Sequence, residues 1–243
     1  MNKRGDVKKI TPIHLNNELV KDPNIIANSF NSFFSTIVHS LSSESPDNEG
    51  MQKLLRKHTP ETLELTELFH FKPTITNEID KIIRSLKNRN SHGYDEVSSK
   101  ILKISAPYKK TPLTYIFNQI LRVGIFPDKM KYAIIKPLHK KGSTKELKNY
   151  TPISLLTNFA KVLEKVIYRR LYSYLEEHKI LSDDQYGFRK SLSTSSATNT
   201  LLNSILSAFD SNNLMGGLFY DIHKAFDCVS HKILLTKLDH YGV

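Results

Sequence analysis

Between Asn158 and His178 the apolar side chains Phe159, Val162, Leu163, Val166, Ile167, Leu171 and Leu175 recur at spacings of three and four, while Lys161, Lys165, Arg169 and Arg170 fill the opposite face. That period is the helical one, so the spacing predicts a helix over 158–178 with an apolar stripe that needs a packing layer. Other segments repeat the pattern. Asp22-Pro23 offers a cap and a first-turn proline for a helix near 23–40, with Ile26, Phe30, Phe33, Phe34 and Ile37 on its apolar side. Thr76 is placed to cap a helix through Ile79, Ile82, Ile83 and Leu86, and further helices are expected near 97–105, 111–123 and 231–240, with another from a Ser/Thr-rich start at 191–196 through Leu201, Leu202, Ile205, Leu206 and Phe209, ended by Ser211-Asn212-Asn213. Strand signals are interspersed. Residues 132–135 and 149–156 frame a turn at Lys140-Lys141-Gly142-Ser143, and Leu218-Phe219-Tyr220-Asp221-Ile222 reads as a short strand. Strands scattered among helices point to a mixed α/β or α+β architecture.

Residues 1–21 are polar and irregular, and 41–70 are rich in Ser, Glu, Asp and Asn without a period, which fits a linker and a domain boundary near residue 70. The full 243 residues suffice for a sizeable core. No apolar run approaches the ~18 residues of a membrane span, and the N-terminus lacks the apolar core of a signal peptide. The single Cys228 can form no internal disulfide, so an intracellular setting, nuclear or cytoplasmic, without a membrane partner, is expected.

The net charge of +11 is localised. Residues 71–190 hold 24 basic and 11 acidic side chains, whereas 1–70 and 191–243 are each close to balanced. The densest run passes through Lys129, Lys131, Lys136, Lys140, Lys141, Lys145 and Lys148, with Tyr132 and Tyr150 among them. Such a run is either a solvated surface or a face for a polyanion, and interleaved rings that can stack on bases favour nucleic acid modestly.

Among residues that can do chemistry, Asp221 stands out because strand alternation sets it opposite Leu218, Tyr220 and Ile222 at the end of an apolar run. A carboxylate there suits magnesium and phosphoryl transfer, or simply caps the following turn; the local pattern leaves both open. His223, Asp227 and His231 recur every four residues, but Ser230 looks like a helix cap that separates them. Cys228 lacks an orienting partner for a nucleophile and reads as structural, and Asp183-Asp184 reads as a polar loop.

Taken in order, several motifs resemble one known family. They are Asn90-Ser91-His92-Gly93-Tyr94-Asp95, Gly124-Ile125-Phe126-Pro127, Ile134-Ile135-Lys136-Pro137-Leu138-His139-Lys140-Lys141-Gly142, Asn149-Tyr150-Thr151-Pro152-Ile153-Ser154-Leu155, Gln185-Tyr186-Gly187-Phe188-Arg189 and Phe219-Tyr220-Asp221-Ile222 followed by Ala225-Phe226-Asp227. Their order and spacing resemble the reverse transcriptases of non-LTR (LINE-type) retrotransposons, especially the jockey-like elements of insects.

The resemblance implies an α+β fold, a partial right-hand polymerase, fingers plus the start of the palm, spanning 71–243 and preceded by a helix and polar linker over 1–70. It implies RNA template, DNA primer and dNTP as partners. Asp221 would be the first catalytic carboxylate, binding Mg2+ with help from the Ile222 backbone carbonyl. Phe226, Lys140 and Lys141 would face the nucleotide, and Arg189 and Lys136 the template. Two departures accompany it. Thr151 stands where the family carries a triphosphate-binding arginine, and no aromatic-x-Asp-Asp pair follows Asp221. The expectation is a catalytically incomplete polymerase segment, with a non-catalytic nucleic-acid-binding fragment using the basic 71–190 region as the alternative.

Overall fold

The computed structural model describes residues 11–15, 18–42, 68–222, 225–226 and 229–243. Most of the stretch expected to be a linker, together with His223, Asp227 and Cys228, lies outside the described residues. The chain divides into two compact units: one contains the described residues before 43 together with 70–168, the other residues 68–69 and 169–243.

In the first unit, β1 (Ile13–Leu15) and β2 (Glu18–Val20) form an antiparallel pair, and α1 (Pro23–Ser42) follows. Asp22 caps α1 by accepting from Asn24 N–H at 2.8 Å and Ile25 N–H at 3.1 Å, which satisfies two otherwise unpaired amides. Residues 1–21 had read as irregular, yet Ile13 is buried with Ile26 and Phe30, and Leu15, Val20 and Phe34 pack around them. Three-residue strands are too short to show a convincing alternation.

The main core joins three helices. α2 (Thr76–Ser85) contributes Ile79, Ile82 and Ile83; α3 (Ser99–Val123) contributes Leu102, Ala106, Leu113, Phe117 and Leu121; α5 (Asn158–Glu177) contributes Val162, Leu163 and Val166. Thr76 is not the cap of α2: Ile75 occupies that position without a side-chain bond, and the nearby Thr74 hydroxyl instead donates to Glu78 at 2.8 Å.

The helices expected near 97–105 and 111–123 are one continuous α3 with Pro107 and Pro112 inside it. Each proline removes only its own amide bond, to the carbonyls of Lys103 and Tyr108. Both rings face outward, and the buried stripe on either side keeps the helix running. Ser98 caps its start by accepting from Ile101 N–H, and Gly124, at φ 74°, closes its end.

After the short α4 (Asp128–Lys131), β3 (Ala133–His139) and β4 (Tyr150–Leu156) pair antiparallel, with Lys136 opposite Ile153, Pro137 opposite Pro152 and Leu138 opposite Thr151. The hairpin is the one the sequence spacing called for, extended by four residues into the tip.

The second unit holds the latter part of α5, α6 (Thr194–Asp210) and α7 (His231–His240). Ser230 caps α7 as expected, and Ser193, within the Ser/Thr-rich start of α6, caps that helix. Tyr174 anchors this unit: its hydroxyl donates to the Tyr241 carbonyl at 2.9 Å, Phe69 packs edge-on against its ring, and burial pushes its phenol up from the ordinary value.

The strand expected at 218–222 is not formed. Leu218, Phe219, Tyr220 and Ile222 are 71–86% exposed, so neither a ladder nor a packed face holds them. A strand exists by pairing, and no described residues lie alongside to pair with it. The alternation that sorted Asp221 to one face therefore has no counterpart in the structure.

Candidate nucleic-acid and nucleotide interface

The β3–β4 hairpin and its tip carry three of the five residues that the resemblance assigned to nucleotide and template, Lys136, Lys140 and Lys141. Strand pleating puts Ile134, Lys136 and Leu138 on one face with Thr151, Ile153 and Leu155, and Ala133, Ile135, Pro137 and Pro152 on the other. The second face turns toward α1, where Ile26, Phe30 and Phe34 line a groove of about 790 Å³ with it. The lysine face points away from that groove and is solvent-exposed.

The hairpin tip is held rigidly, which follows from its sequence. Gly142 adopts φ 81°, a left-handed conformation that glycine accepts readily. Lys140 N–H donates to the Asn149 carbonyl at 2.9 Å, Asn149 Nδ2 donates to the Ser143 carbonyl at 2.9 Å, and Tyr150 Oη donates to the Thr144 carbonyl at 2.7 Å. The Tyr150 ring is edge-on to both His139 and Phe30, so the tip is tied to α1. A further tie runs from His14 N–H to the Lys145 carbonyl at 2.8 Å. Lys140, Lys141, Lys145 and Lys148 are exposed on this framework. None of them has an ion pair among the described residues, so their charge is available to a polyanion.

Thr151 lies directly opposite Leu138, on the same face as Lys136. It can offer a hydroxyl to a phosphate but neither charge nor a bidentate fork.

The remaining site residues sit in the second unit. Arg189 is largely buried, with its side chain 13% exposed; Nε pairs with Glu176 at 2.9 Å and Nη1 donates to the Ser182 carbonyl at 2.9 Å. These bonds fasten the Gln185–Arg189 loop to the end of α5. The neighbouring Phe188 meets Phe226 edge-on at 5.9 Å, so the loop and Phe226 come together. Asp221 and Ile222 are exposed on the extended segment that precedes Phe226.

The donors at Asp221 and Ile222, a carboxylate and a backbone carbonyl, are hard oxygens of the kind that Mg2+ takes. Their number suits one ion completed by water and substrate phosphate. Among the described residues no group of three His, Cys, Asp or Glu is close enough to hold a metal by itself.

Two functional supports were not recognisable as such in the motifs. Gly93 lies flat against the start of α5: a Cβ there would sit 2.7 Å from Thr157 N. Asn158, 3% exposed, donates to the Val97 carbonyl at 2.6 Å. Together they lock the Asn90–Val97 loop to the end of β4. The only local signal is that Asn-Ser-His-Gly is turn chemistry; the contact partner is more than sixty residues away.

Residues 138–243 match the family described as reverse transcriptase (RNA-dependent DNA polymerase). The chain is also similar to the probable RNA-directed DNA polymerase from transposon BS of Drosophila melanogaster, 38% identical over 179 residues, which are 71% of this chain and 20% of that protein. It is 35% identical over 162 residues to the probable RNA-directed DNA polymerase from transposon X-element of the same species, covering 66% of this chain and 18% of that one. With the RNA-directed DNA polymerase from mobile element jockey, also of Drosophila melanogaster, it shares 32% identity over 161 residues, again 66% of this chain and 18% of the other. The chain thus spans about a fifth of the length of these curated relatives. The family match, the mixed helices and strands and these relatives agree: the chain belongs to the reverse transcriptases of non-LTR, jockey-like retrotransposons.

Proposed function

We propose that this chain supplies the fingers and the beginning of the palm of an RNA-directed DNA polymerase, whose reaction is template-directed addition of dNTP to a primer 3′-hydroxyl. The observation that carries it is the β3–β4 hairpin, a rigid element with one lysine-bearing exposed face, whose second half and tip fall inside the family match. Lys140 and Lys141 at the tip attract the triphosphate, and Lys136 on the same sheet face neutralises a template phosphate. In the second unit Phe226 faces the nucleotide sugar, and Arg189 acts on the template side through the loop it fastens to α5. Asp221, with the Ile222 carbonyl, holds Mg2+, which when bound neutralises phosphate charge during the transfer. The chain's own residues bind and orient; the carboxylate set they provide has one member.

Thr151 weakens the hold on the triphosphate. For that reason, and because no Asp-Asp pair follows Asp221, the 243-residue polypeptide by itself is expected to bind RNA without extending a primer. Primer extension with Mg2+, an RNA template, a DNA primer and dNTPs tests this. Template-dependent product that disappears in Asp221→Ala would overturn the claim of inactivity. Retained RNA binding without product would favour the reading as a binding segment. None of the described helices is long and apolar enough to cross a membrane.

A further inference from the structure

A second cationic feature lies in the first unit, apart from the lysine face of the hairpin. A pocket of about 140 Å³ is lined by Lys87, Arg89, Ser91, Ser99, Asn158 and Lys161, with Leu86 as its one apolar side chain. Three of these seven side chains are cations, and none is a carboxylate. No ion pair within 4 Å neutralises Lys87, Arg89 or Lys161 among the described residues, although Glu164, one helical turn beyond Lys161, feels its charge.

The pocket is built rather than incidental. Ser99 and Asn158 are each 3% exposed, and both are held in place by hydrogen bonds. Ser99 Oγ accepts from Arg89 N–H at 3.0 Å and donates to the Lys87 carbonyl at 2.8 Å, which sets the backbone of the two cationic residues on one side. Asn158 donates to the Val97 carbonyl at 2.6 Å on the other. These two residues also open helices, Ser99 the 25-residue α3 and Asn158 the 20-residue α5, so two positive helix ends meet at the pocket. Three cations and two helix N-termini bordering a small concavity favour one ligand chemistry, a tetrahedral oxyanion.

We propose that this pocket seats a single phosphate group, held by Arg89 and Lys161 with Lys87 at the rim. Its source is either a backbone phosphodiester of bound RNA or a free phosphate or polyphosphate. The first source rests on the nucleic-acid reading above; the second does not. The seat lies where the Asn88–Ser91 turn meets α5, so an RNA strand using it would be gripped at a point additional to the hairpin tip.

The test compares the wild-type chain with Arg89→Gln and Lys161→Gln, each first shown by thermal melting to fold. Binding of single-stranded RNA is titrated across salt concentrations, and inorganic phosphate and pyrophosphate are titrated separately by melting-temperature shift. If RNA is the source, each variant lowers the slope of log affinity against log salt by about 0.7, the value for one phosphate contact on a single strand. Lys140→Gln/Lys141→Gln should lower it independently and additively. If free phosphate is the source, it raises the melting temperature of the wild type and not of the two variants, whether or not RNA binds. Unchanged RNA slopes together with phosphate shifts that are absent, or equal in all three proteins, would overturn the proposal. Loss of RNA binding in the hairpin variant alone, with those same results, would leave the function standing and remove only this site.

Discussion

Replacing Gly93 by alanine is expected to destabilise the first unit by about 2–4 kcal/mol. The added Cβ would lie 2.7 Å from Thr157 N, 2.9 Å from the Leu156 carbonyl carbon and 2.9 Å from Thr157 Cα. All three are backbone atoms at the junction of β4 and α5, so no side-chain rotation relieves the clash. Restoring ordinary van der Waals contact requires the two segments to part by about 0.7 Å, and overpacking of that kind costs about 1–3 kcal/mol. The same movement stretches the bond from Asn158 Nδ2 to the Val97 carbonyl, now 2.6 Å, and loosening a hydrogen bond at a buried residue adds about 1 kcal/mol. The assay is urea and thermal unfolding followed by circular dichroism, where a change of this size lowers the melting temperature by roughly 5–12 °C. Two other glycines serve as references. Gly187 has open space around it and should tolerate alanine within about 0.5 kcal/mol. Gly124 also has open space but adopts φ 74°, so alanine there should cost about 1 kcal/mol through the backbone alone. A Gly93→Ala protein as stable as the wild type would refute the close packing of the Asn90–Val97 loop on α5.

Three further outcomes follow from the same structure. Alanine at Pro107 or Pro112 should stabilise α3 by about 1–2 kcal/mol each, since both rings are exposed and the regained amide bond outweighs the greater freedom of the unfolded chain; a loss of stability in urea titrations would contradict this. Asp80 accepts from Arg84 Nε at 2.6 Å, which holds its carboxyl below the ordinary 3.8, so this pair stabilises the fold above that pH and stops doing so as the pH falls through the lowered value. Arg84→Gln should therefore be less stable than the wild type at pH 7, with the gap closing on acidification, and a gap constant from pH 7 to pH 2 would rule out the linkage. Lys140→Gln/Lys141→Gln should weaken RNA binding and reduce its salt slope by about 1.4 while leaving the melting temperature nearly unchanged, because neither side chain has an ion pair among the described residues.

Local pattern carried the helices well, and the reasons are visible in single elements. In α5 the stripe Val162, Leu163 and Val166 is buried against two neighbours, so the period that announces the helix is also what packs it. Caps at Asp22 and Ser230 are recognisable because a capping side chain acts within three residues of itself. Long-range effects were not legible. The continuity of α3 through Pro107 and Pro112 depends on α2 and α5 covering Ala106 and Leu113, and nothing within the helix's own sequence reports that cover. The phosphate-sized pocket was equally hidden, since Arg89 and Lys161 lie 72 positions apart and each alone is an ordinary surface cation. Motif order, by contrast, pointed to the family because it sums many weak local signals.

The two halves of the proposed machinery differ in what they need in order to take shape. The hairpin is self-sufficient: β3 and β4 satisfy one another's backbone groups, Tyr150 and Asn149 tie down the tip, and α1 backs one face. Residues 218–222 have apolar side chains fit for a strand, yet Leu218, Phe219 and Tyr220 stand more than 80% exposed. An extended segment so apolar gains its backbone bonds only from a neighbouring strand, and gains about 25 cal/mol per Å² of whatever apolar surface is covered. Under the proposed function, polyanion binding falls to the first unit, whereas the segment carrying Asp221 has no partner strand among the described residues. A protein that binds RNA with a steep salt dependence and shows no magnesium-dependent chemistry is what that asymmetry predicts.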